Sequence, residues 1–143
     1  MDYWEYFIAP DDESAAQVQG FGTAGAYEAM PVGNYDPRDS VVEWEGLFAG
    51  VTPQVLIRAG EPRLLSWLTN DGSYVFVFSA RLQNSLATAD REQLDSVARA
   101  WSRLRREEGD DISEEEAIDH LGDVSVWARK AKDQGLRLYC SVT

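Results

Sequence analysis

NDGSYVFVFSARLQNSLATADREQ, residues 70–93, carries most of the fold information in this chain. Asn70-Asp71-Gly72 are residues that tolerate positive φ, so they predict a tight turn. SYVFVFS (73–79) follows as a continuous apolar run rich in β-branched and aromatic residues, the pattern of a strand covered on both faces. LLSWL (64–68) precedes the turn, and the two runs predict an antiparallel hairpin. Ser79 is placed to cap a helix over ARLQNSLAT, with Leu82 and Leu86 at i, i+4. Asp90 with Gln93 forms a capping box, so a second helix starts there.

Outward from that stretch, helices dominate the C-terminal side. Leu94, Val97, Ala98, Trp101 and Leu104 make one apolar stripe. EEGDD (107–111) is a polar break, and Ser113 with Glu116 reads as another capping box. Ile118, Leu121, Val124, Ala128 and Ala131 line the next helix, which Gly122 is expected to bend or split and Gly135 to end. LRLYCSV (136–142) alternates as a final strand.

Toward the N-terminus, residues 2–9 form an inner strand, ended by Pro10. DDESAAQVQ (11–19) predicts a short helix with acids at its positive end. GFGTAG (20–25) lacks the spacing of a dinucleotide-binding fingerprint and reads as a loop. YEAMPVGNY (27–35) suits an edge strand, because Pro31 cannot donate to a central ladder. Asp36 and Pro37 open a helix carrying Val41, Trp44, Leu47 and Phe48 and closed by Gly50. Thr52-Pro53 opens a shorter one, ended by Gly60.

The expectation is therefore a single α+β domain over residues 1–143. It has a small, mostly antiparallel sheet that includes both terminal strands and a central hairpin, packed by the C-terminal helices. A chain of 143 residues with 44% hydrophobic and 11% aromatic content can bury a core without disulfides. No apolar run approaches the roughly 20 residues that span a bilayer, and MDYWEYF is not a secretory signal. Cys140 is the only cysteine, which fits a reducing compartment, so a soluble cytoplasmic protein is expected.

The net charge of −12 shapes the functional expectations. It opposes binding to nucleic acid, which needs cations against phosphates, and to anionic membrane surfaces. It favours a basic protein partner, although solubility alone also accounts for it. Between Glu107 and Asp119 stand eight acids and no base. Capping accounts for Glu114 to Glu116. Asp110, Asp111, Glu114, Glu115 and Asp119 are the candidate partner-binding residues. Arg99, Arg103 and Arg106 form a basic stripe, which Asp95–Arg99 and Arg103–Glu107 pairing would explain as helix surface.

No catalytic signature is present. His120, the only histidine, shares a helix face with Glu116, but a metal site needs three or four ligands. It is expected to be solvated or hydrogen-bonded. Cys140 lies in an apolar strand and is expected to pack in the core. DDISEEE fails the calcium-loop spacing. No cofactor or metal is expected, and the five tryptophans should mostly meet in the core, with one free to line a pocket.

The strand, ARLQNSLATAD, the AxxW helix and the ending ARKAKDQGLRLYCSV make residues 74–142 similar to small single-domain proteins of GC-rich bacteria. That resemblance implies one compact domain and brings no activity with it. The leading functional expectation is a non-enzymatic protein-binding domain using an acidic surface, immunity- or antitoxin-like. Its rivals are a small-molecule-binding domain or minor enzyme with a pocket between sheet and helices, and self-association through an apolar helix face.

Overall fold

The computed structural model describes residues 4–18, 27–33, 35–65 and 73–142. Among the described residues, five strands form one antiparallel sheet in the order β2-β1-β5-β4-β3. β1 (Trp4–Ala9) and β5 (Arg137–Val142) lie side by side at its centre, in register from Trp4–Val142 to Ala9–Arg137. β5 is the middle strand of the sheet, flanked by β1 and β4. β2 (Ala29–Pro31) is an edge strand on β1, consistent with its proline.

β4 (Tyr74–Val77) pairs with β5 on one side and with β3 (Arg63–Leu64) on the other. The expected hairpin is present, with Arg63 opposite Val77 and Leu64 opposite Phe76. β4 ends at Val77, short of Ser79, and residues 66–72, with the expected turn, lie outside the described residues, as does the 20–25 loop. Phe78 leaves the ladder with one backbone bond to the Leu138 carbonyl, which frees Ser79 to cap the next helix.

Alternation along the strands builds two cores. Tyr6, Ile8, Phe76, Leu138 and Cys140 face the large helical layer, whereas Phe7, Val75, Val77 and Tyr139 face the opposite side. The smaller core is covered by Ala15 and Val18 at and just beyond α1 (Asp12–Ala16), with Tyr27 and Leu65 against it. The larger one is filled from α2 (Pro37–Ala49), α3 (Pro53–Arg58), α4 (Ala80–Thr88), α5 (Arg91–Glu107) and α6 (Glu114–Gln134).

Helix ends follow the local signals. Asp36 caps α2, Ser79 caps α4, and Asp90 with Gln93 completes a reciprocal box on α5. Gly50 and Gly135 adopt left-handed geometry at the ends of α2 and α6. Two details differ from expectation. α6 runs unbroken through Gly122, because Ala117, Leu121, Val124, Ala128 and Ala131 hold it against the core on both sides of that residue. Ser113 caps α6 as expected, but the Glu116 carboxylate accepts from the Tyr35 hydroxyl at 3.2 Å.

Candidate functional site

α6 positions the most distinctive surface of the molecule. Its 21 residues span roughly 30 Å. With one stripe buried against α4 and α5, the adjacent stripe presents His120, Asp123 and Trp127, at i, i+3 and i+7, to the space beside β2. Met30 and Val32 form the facing wall, with Val126 at the rim, and together they enclose a groove of about 520 Å³. That volume falls within the roughly 300–1,000 Å³ of small-ligand sites.

His120 lines the groove. Its Nε2 is hydrogen-bonded to the Tyr6 hydroxyl at 3.2 Å. Its ring is surrounded by Tyr6, Tyr35, Trp44 and Trp101, all with centroids between 5.6 and 5.9 Å away. Burial among these rings pushes the imidazole down from 6.5 to about 4, so it is neutral at neutral pH. The expectation that His120 is hydrogen-bonded holds, but the aromatic cage exceeds what sequence reading anticipated. Glu116 is turned to Tyr35, so the two residues do not form a metal pair. Among the described residues, no three His, Cys, Asp or Glu side chains are grouped to hold a metal ion.

Trp44 and Trp101 are fully buried and meet edge to face at 5.3 Å. Trp101 Nε1–H donates to Glu43 at 3.0 Å, and Arg105 pairs with the same carboxylate at 3.2 Å. Trp4 and Trp127 are half-buried, and Trp67 lies outside the described residues. Trp127 carries the Lys130 ammonium 5.5 Å from its ring centre, and Lys130 is also paired with Glu28. Cys140 is wholly buried, and burial pushes its thiol well up, as befits a packing residue.

The five candidate acids separate into two groups. Asp110 pairs with Arg105 at 3.4 Å, and Glu114 lies 4.0 Å from Arg99. Asp111, Glu115 and Asp119 are exposed and have no hydrogen-bonding or ionic partner among the described residues. Asp123 belongs with them, although the sequence-level cluster stopped short of it. Glu115, Asp119 and Asp123 therefore form a ridge along α6 at i, i+4 and i+8, ending at the groove. Like charges at i, i+4 cost a helix about 0.2–0.5 kcal/mol per pair, and Asp119 and Asp123 lie beyond the first turn, where the helix dipole would favour them. Helix stability does not account for this ridge.

The basic stripe on α5 is differently used. Asp95 pairs with Arg91 at 3.2 Å and not with Arg99, because Glu114 on the neighbouring helix competes for Arg99. Arg106 Nε–H donates to the Ile112 carbonyl at 2.8 Å, tying down the α5–α6 turn. A smaller depression of about 360 Å³ beside Leu47 and Phe48 has Asp90 and Gln93 at its edge, both committed to capping α5.

Among the described residues no helix is long and apolar enough to cross a membrane. Comparison with known proteins finds no matching family model, no similar curated protein and no similar solved structure.

Proposed function

We propose that the protein is a non-enzymatic binding protein that takes a basic partner protein against the acidic face of α6, the role an immunity protein or antitoxin plays. The observation that carries this reading is the ridge of Glu115, Asp119 and Asp123, exposed and without cations among the described residues. The half-buried Trp127 and the Val126 side chain, 58% exposed, adjoin the ridge and supply apolar area for the centre of an interface. A net charge of −12 steers a basic protein toward this face and speeds its encounter.

Affinity capture with the intact chain and with an E115K/D119K variant tests the reading. A stoichiometric basic partner should be retained by the parent chain, released as salt rises, and lost by the variant. Retention of the same partner by the variant at unchanged affinity would place the interface elsewhere. A second reading, small-molecule binding, is favoured by the His120 groove, whose volume and mixed lining suit a compact ligand.

A further inference from the structure

We infer that the groove between α6 and β2 is a binding site for a small organic cation, an ammonium carried on an apolar body. The inference rests on the small-molecule reading of the groove and does not require a protein partner.

Four observations select that ligand class. The walls from Met30, Val32 and Val126 are apolar, so an ion without hydrocarbon would leave them uncovered. Asp123 is the one formally charged side chain in the lining at neutral pH, and no cation within the described residues neutralises it. His120 is held neutral among its aromatic neighbours, so it adds no positive charge that would repel a cation. Trp127 lines the groove with an indole that already attracts one ammonium, that of Lys130, at 5.5 Å, so this ring is a competent partner for a cation–π contact. The overall charge of −12 draws the same class of ligand inward and repels its anionic counterparts.

In the bound state the ammonium would pair with the Asp123 carboxylate and lie near the Trp127 face. The apolar body would lie against Met30 and Val32, toward the aromatic cage under His120. The carboxylate sets the sign of the ligand's charge, and the walls set its need for hydrocarbon.

Phenethylamine is a suitable probe, with 2-phenylethanol as its neutral counterpart and phenylacetate as its anionic one. Binding to the intact chain is followed by calorimetry and by the Trp127 indole signal in 1H–15N spectra. Saturable phenethylamine binding is expected, with both counterparts about tenfold weaker or worse, the effect of losing one charge-assisted contact. D123N, an exposed substitution, should weaken phenethylamine by a similar factor and leave 2-phenylethanol unchanged. E115Q, which removes a ridge charge two turns away from Asp123, should retain the alcohol-versus-amine discrimination.

Equal binding of amine and alcohol, or an amine affinity insensitive to D123N, would overturn the cation assignment while leaving the groove a ligand site. Failure of all three probes to shift the Trp127 signal would overturn the groove reading as well.

Discussion

Replacing His120 by glutamine should remove a specific part of the protein's acid sensitivity. The imidazole is pushed from 6.5 to about 4 by burial within the cage of Tyr6, Tyr35, Trp44 and Trp101. Because the folded value lies below the unfolded one, the unfolded chain binds this proton first as pH falls. Stability is therefore intact above about pH 6.5, declines through the window down to about 4, and levels off below it. A separation of about 2.5 units at about 1.4 kcal/mol each gives roughly 3 kcal/mol lost across that window. Glutamine retains a hydrogen-bonding group for the Tyr6 hydroxyl but does not titrate.

Urea denaturation of both chains at several pH values isolates the effect, since the carboxylates contribute to each. Asp11 and Asp12, whose values are lowered in the fold, add their own loss on acidification, and Glu43 and Glu61, whose values are raised, act in the opposite sense. The parent chain should lose about 3 kcal/mol more than H120Q between about pH 7 and about pH 4. An NMR titration of the imidazole should show its midpoint near 4. A midpoint close to 6.5, or identical pH profiles for the two chains, would refute the buried-cage description.

Three substitutions probe the packing. Gly46→Ala would bring a Cβ to 2.6 Å from the Val51 carbonyl oxygen, so thermal or urea unfolding should show a loss of about 1–3 kcal/mol. Gly122→Ala, in open space within α6, should instead gain up to about 1 kcal/mol by the same measurement. Glu43→Leu would leave the Trp101 N–H without its acceptor and the largely buried Arg105 with Asp110 as its remaining ionic partner, costing about 1–3 kcal/mol. Adding Arg105→Met should return part of that loss, because a largely buried charge then no longer depends on Asp110 alone.

Much of the architecture was legible because its determinants are local. Asp36-Pro37, Ser79, Asp90 with Gln93, and Gly135 each satisfy backbone groups within a few residues, and each marks a helix end where expected. The alternation of residues 136–142 and the apolar groups on both faces of residues 2–9 anticipated two strands of one sheet, but not that they would be neighbours. What could not be read depends on elements distant in sequence. His120 is caged by rings from β1, α2, α5 and the segment before α2, and its Tyr6 partner lies 114 positions away.

The groove likewise depends on the spacing between β2 and α6, which no local pattern specifies. Asp95 had a candidate arginine at both i−4 and i+4, and an acid on another helix decided between them. Asp123 was legible in principle. It continues the Glu115–Asp119 spacing by one more turn, but a linear run of acids conceals a ridge that only helical periodicity brings together.

The proposed function implies that α6 keeps its acidic ridge, at some expense to helix stability, for binding a basic partner. Thermal unfolding of D119K, paired with its affinity for the captured partner, tests this most directly. The substitution removes repulsion toward Glu115 and Asp123 and creates an attractive i, i+4 pair with Glu115, so stability should hold or rise by about 0.5 kcal/mol. Partner affinity should fall at least about tenfold over the same change. Reduced stability with unchanged affinity would contradict the account.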